Sequence, residues 1–157
     1  MAAVPHIDAA LEAWKITQAR QLIETVSFHR WAGLRLQELA PGLCRLGFQA
    51  GGDLIVIGGY VHGGILNGLL EPAAYGALIT ALQPGEHAVT VDIHVQHLRS
   101  VPAAAEAVLT GRMIRRGKAL GFLEADCHVD GQLCTQARIT KAISAANPPG
   151  SGGKAAA

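Results

Sequence analysis

The sequence predicts an α+β domain in which a curved antiparallel β-sheet wraps around a long central helix, with an additional N-terminal helix. Three features predict it. The run ILNGLLEPAAYGALITAL at residues 65–82 holds a single charged side chain, Glu71, and is too long for a strand, so it reads as a helix surrounded on nearly every side. Beyond Gln83-Pro84-Gly85 the apolar period drops to two, with Val89, Val91, Ile93 and Val95 alternating with Thr90, Asp92, His94 and Gln96. The strand candidates that follow are joined by short turns, which makes them antiparallel neighbours, and the only layer able to cover the helix is that sheet curled over it.

In chain order, residues 8–27 read as the first helix, with Asp8 placed to cap it and Leu11, Trp14, Gln18, Leu22 and Val26 at near-helical spacing. Two short strands, Gly33 to Leu39 and Leu43 to Ala50, flank Pro41-Gly42, a dipeptide suited to a tight turn. The central helix is entered through Gly58-Gly59 and Gly63-Gly64, and Pro72 inside it removes one hydrogen bond and crowds the Gly68 carbonyl, which predicts a local kink. Ala103 to Arg115 and Ala119 to Val129 are strands around Arg116-Gly117, and Gln132 to Ile143 is the last strand, after Asp130-Gly131. The domain plan is a helical extension at 1–30, the sheet-and-helix domain at 31–144, and a disordered tail at 145–157, where NPPGSGGKAAA offers nothing to pack.

The 157 residues fit one domain. Half are apolar and 16% are charged, which implies surface to bury in an oligomer. A net charge of +1 gathers neither nucleic acid nor an anionic membrane, so an anionic ligand must meet a local cluster. Cys44, Cys127 and Cys134 are odd in number, lack metal-ligand spacing and read as reduced thiols, although a two-residue turn at Asp130-Gly131 would set Cys127 opposite Cys134. His94 and His97, three apart on a strand, point to opposite faces, so no metal site is expected. The start MAAVPHIDAALEAW lacks the basic residues and apolar run of an export signal. The uncharged segment from Leu54 to Leu70 contains His62, Asn67 and five glycines and reads as a buried helix with its entry turn, not a membrane span. A cytoplasmic protein without nucleic-acid or membrane partners is expected.

The chemistry-bearing residues have a definite order. His62-Gly63-Gly64 is followed by the apolar helix and, nine positions after the histidine, by Glu71. Downstream come VTVDIHVQHLRSV at 89–101, IRRGKALGFLEADCHV at 114–129 and DGQLCTQARIT at 130–140. From about Gly33 to Ile143 this combination resembles the PaaI-like branch of the hotdog thioesterase superfamily. The resemblance implies a hotdog fold and an acyl-CoA thioesterase that releases free acid and coenzyme A, with coenzyme A part of the substrate and no separate cofactor.

It also implies site roles. The Gly63 backbone N–H, at a helix start where unpaired N–H groups and the dipole face outward, matches the family's oxyanion donor. Gly64 lets the thioester approach; the alternative is that both glycines only permit close packing. Glu71 matches the family's general base or nucleophile, against the alternative of a solvated edge carboxylate. His62, beside the positive helix end, suits a neutral role as cap or substrate contact. Asn67, Glu71 and Tyr75 form one polar stripe, spaced four apart. Related enzymes often carry a small hydroxyl at Tyr75 and an amide at Val56; valine offers none, leaving Asn67, Tyr60 or Tyr75 to take over. Arg115, Arg116 and Lys118, with Arg99 at an earlier turn, are the expected coenzyme A phosphate contacts, against a merely solvated charged turn.

Gly63 and Glu71 are eight residues apart, about 12 Å along one helix axis. One carbonyl cannot span that, so each site is expected to draw on two chains in a homodimer at least, with a homotetramer as the larger assembly. The competing reading is a hotdog domain that binds acyl-CoA or a protein partner without turnover, which Val56 favours.

Overall fold

The computed structural model describes residues 4–145. Of the tail expected at 145–157, Ala145 ends the last strand and the rest lies outside the described residues. The helices are α1 (Ala13–Thr25), α2 (Ser27–Trp31) and α3 (Gly63–Ile79). The strands are β1 (His6–Ile7), β2 (Arg35–Ala40), β3 (Leu43–Gln49), β4 (Glu86–His97), β5 (Glu106–Arg116), β6 (Leu120–Val129) and β7 (Gln132–Ala145). They form one sheet in the order β1-β2-β3-β5-β6-β7-β4, antiparallel except for β1 with β2. This is the hotdog architecture, with α3 as the wrapped helix. No helix among the described residues is long and apolar enough to cross a membrane.

The N-terminal reading needs correction. Asp8 does not cap a helix: its carboxylate accepts the Ala10 N–H at 2.8 Å, and α1 starts five residues later at Ala13. Pairing takes these residues away from the helix, because His6 and Ile7 align with Glu38 and Leu39 and the Asp8 N–H donates to the Leu39 carbonyl at 2.9 Å. The helix also ends early, where extended Val26 separates α1 from the short α2.

The β6–β7 turn follows its sequence, since Asp130 and Gly131 both take positive φ, 49° and 74°, as a tight two-residue hairpin requires. His128 faces Leu133, but a bulge then sets Cys127 opposite Thr135. The expected facing of Cys127 and Cys134 is thus overturned by one extra residue in the ladder. All three thiols are free and buried, and burial pushes Cys44 and Cys127 up to about 12.

Leu69, Leu70, Ala73, Ala74, Ala77 and Leu78 of α3 are fully buried against a sheet face that includes Leu46, Phe48, Leu109, Leu123 and Ile139. Each large side chain buried there contributes about 1.5–3 kcal/mol. The helix rides closest on β5, where a Cβ added at Gly111 would overlap the Ala73 carbonyl and the Ala74 nitrogen. Backbone on both sides leaves nothing to yield. Gly111→Ala is expected to lift α3 from the sheet and destabilise the fold by about 1–3 kcal/mol, read as a lower denaturant midpoint with unchanged m. An unchanged midpoint would show that the sheet flexes to accept the methyl.

Candidate functional site

The start of α3 has one uncommitted donor. His62 is the N-cap, and its Nδ1 accepts the Gly64 N–H at 2.9 Å. An accepting nitrogen carries no proton, so the cap uses a neutral ring. The Ile65 and Leu66 N–H groups turn back to the His62 carbonyl at 2.9 and 3.2 Å. Among the described residues the Gly63 N–H has no protein acceptor, and it points outward with the helix dipole behind it. Beside it opens a cavity of about 310 Å³, lined by Tyr60, Gly63, Leu66, His97, Leu98 and Arg99 among others.

Two helical turns on, Glu71 sits in a polar cluster. Its carboxylate accepts the Thr90 hydroxyl at 2.9 Å and pairs with the Lys141 ammonium. Lys141 also donates to Thr90 Oγ1 at 3.0 Å and lies 4.5 Å above the Tyr75 ring, a cation–π contact. The Lys141 side chain is 1% exposed and that of Glu71 30%. Glu71 therefore has a partner that the helix sequence did not reveal. The hydroxyl that bonds Glu71 comes from β4, as Thr90, while Tyr75 backs the lysine and its hydroxyl receives the Ala88 N–H at 3.5 Å. Lys141 had a signal: Thr135, Ala137, Ile139 and Ile143 alternate with it on the buried face of β7, so period two puts a lysine among core residues.

Asn67 also has a partner that sequence reasoning missed. Its Oδ1 lies 3.0 Å from His97 Nε2, and His97 Nδ1 lies 3.3 Å from the Thr135 hydroxyl. His94 and His97 do face opposite sides. His94 lies in a groove of about 590 Å³ on the outer sheet face, where Arg112 pairs with Asp126 and Arg138 with Glu124. Among the described residues no three His, Cys, Asp or Glu side chains gather as a metal site.

Val56 and Arg116 each have a partner within this chain. Val56 is exposed in the entry turn, its N–H donating to the Tyr60 carbonyl at 2.9 Å, and it does not line the cavity that Tyr60 lines. Arg116 is not a free phosphate-binding cation, because its guanidinium meets both Glu86 carboxylate oxygens at 2.5 and 2.6 Å. The Gln83 N–H and Arg116 hold the Glu86 carboxyl below the usual range. Arg115 and Lys118 are exposed at the β5–β6 turn. Arg99, which donates to the Leu133 carbonyl at 3.0 Å, lies at the other end of the sheet, since His97 aligns with Thr135 while Leu120 aligns with Ala142. One chain does not gather these cations.

The sequence matches the thioesterase superfamily over residues 58–136, just over half of the chain. Among solved structures, a thioesterase from Haemophilus influenzae is similar with a TM-score of 0.75 and 20% identity over 83% of this chain and 91% of the other. Zebra fish thioesterase superfamily member 2 gives 0.73 and 22% over 86% and 99%. A mutant of the phenylacetic acid degradation protein PaaI from Thermus thermophilus gives 0.69 and 21% over 74% and 98%. These likenesses bear out the fold that the motifs implied. No curated protein matches the sequence.

Proposed function

The chain belongs to the thioesterase superfamily, and on that premise we propose that it hydrolyses acyl-coenzyme A thioesters to free acid and coenzyme A. The observation that carries this reading is the uncommitted Gly63 N–H on the same helix as the half-buried Glu71 carboxylate. Glu71 takes a proton from a water that attacks the thioester carbonyl, or attacks that carbon itself to form an acyl anhydride that water then hydrolyses to free acid and the restored carboxylate. The growing oxyanion is received by the Gly63 N–H, and the sulfur departs as thiolate when the carbonyl re-forms. Arg99, Arg115 and Lys118 are the proposed phosphate contacts. One observation favours a second reading: the Glu71 carboxylate is already engaged by the buried Lys141 and by Thr90, which suits a domain that binds acyl-CoA without turnover.

The proposed site is shared by two copies. Among the described residues β4 pairs only with β7, and Val89 and Val91 are exposed along it. Such an edge is a template for a second strand. Thr90 marks the Glu71 end of this strand and His97 the Gly63 end. A two-fold axis near Ile93 and His94 would set Thr90 of one copy against His97 of the other, and so Glu71 beside the other copy's Gly63. The same operation moves Arg115 and Lys118 of one copy towards Arg99 of the other.

The test has two parts. Thiol release over short, long and aryl acyl-CoAs separates turnover from binding alone. Then Gly63→Pro, which removes the donor yet suits a helix start, is co-refolded with Glu71→Gln. Random pairing makes about half the dimers hybrid, each with one intact site, so activity should recover to about a quarter of wild type. Recovery near zero, with hybrids present, would place both groups in one chain's site.

A further inference from the structure

Thr135, His97 and Asn67 come from β7, β4 and α3 and meet beside Gly63. Their hydrogen bonds have one direction. The Asn67 carboxamide oxygen can only accept, so His97 Nε2, 3.0 Å away, carries the ring proton. Nδ1 is then the accepting nitrogen, and the buried Thr135 hydroxyl donates to it at 3.3 Å. With its oxygen committed to His97, the exposed Asn67 turns its NH₂ group away from the ring. The ring also stands at the helix start, since a Cβ added at Gly63 would lie 3.4 Å from His97 Nε2. Asn67 is one helical turn after Gly63, on the same face.

We infer that His97 is a positioning residue that orients the Asn67 amide as a second oxyanion donor beside the Gly63 N–H, an inference that rests on the thioesterase reading. A surface carboxamide left to itself rotates and presents either end, and its oxygen would repel an oxyanion. Anchoring the oxygen from behind fixes the donor before the reaction begins, which is when preorganisation is effective. As the carbonyl becomes tetrahedral, charge grows on its oxygen and Asn67 Nδ2–H donates to it. When the carbon–sulfur bond breaks, the electron pair on that oxygen re-forms the carbonyl, sulfur leaves as thiolate, and His97 gives up no proton.

The experiment measures kcat and KM of the full chain with hexanoyl- and phenylacetyl-coenzyme A. Asn67→Ala should lower kcat about a hundredfold with little change in KM, the scale of a lost oxyanion donor. His97→Ala should lower kcat about tenfold, His97→Gln should keep most of the rate through its own amide N–H, and His97→Ala should cost nothing further in the Asn67→Ala background. Equal losses from His97→Ala in both backgrounds, or none in either, would overturn the positioning role while leaving the hydrolase reading intact. No turnover by the wild type would overturn that reading and the donor role together. Nitrogen-15 spectra of the histidines supply a readout independent of turnover. The Nε2–H tautomer at His97, perturbed in Asn67→Ala, is expected, whereas the Nδ1–H tautomer would mean a reversed amide and overturn the inference.

Discussion

Replacing Glu71 by glutamine is expected to cut kcat at least about a hundredfold, the scale of a lost base or nucleophile. Glutamine keeps the length of the side chain and an oxygen that can accept from both Thr90 and Lys141, the two groups that hold the carboxylate. It removes only the negative charge and the ability to take a proton or attack carbon. Thiol release at saturating acyl-CoA, with circular dichroism on the same samples, is the measurement. A near-normal rate in a folded variant would reduce Glu71 to a counter-ion for Lys141.

Truncation to alanine should behave differently, and its effect on stability is the second large one. Glu71→Ala removes the anion and its acceptor oxygen together, whereas glutamine keeps the acceptor, and so leaves the Lys141 ammonium, 1% exposed, with only the Thr90 hydroxyl and the Tyr75 ring. Removing one member of a buried pair costs about 3–5 kcal/mol, a large share of the roughly 5–15 kcal/mol that holds a domain together. Adding Lys141→Met removes the stranded charge and replaces it with an apolar chain of similar length, so the double variant should regain most of the loss. Denaturant midpoints of the wild type, Glu71→Ala and the double variant decide this. If Glu71→Ala alone is near neutral, water reaches Nζ and the pair is not a buried one. The same reasoning makes alanine a poor probe of catalysis here, because lost rate and lost fold would be mixed.

Much of this molecule was legible before its structure. The helix over residues 63–79 and the strand after it appeared because the length of an apolar run and a hydrophobic period of two are local properties of a chain. Asp130-Gly131 gave its turn because both positions need positive φ and those residue types tolerate it. β1 was not legible: two residues carry no period, and only pairing with β2 makes them a strand. Nor was the bulge that separates Cys127 from Cys134, since it is a property of two strands in register.

The candidate site divides along the same line. Sequence alone determined that Gly63, Asn67, Glu71 and Tyr75 share one helix, because spacing along a helix fixes which side chains share a face, and left His62 open between cap and substrate contact. Only the tertiary structure decided what those residues touch. Thr90 and His97 reach α3 because β4, although it directly follows the helix, crosses to the far edge and pairs with β7, and that pairing brings Lys141 to Glu71 and Thr135 to His97. Lys141 and Glu71 are seventy positions apart in the chain. No periodicity spans that distance, and what joins them is the need of one apolar helix to be enclosed by strands from both ends of the sequence.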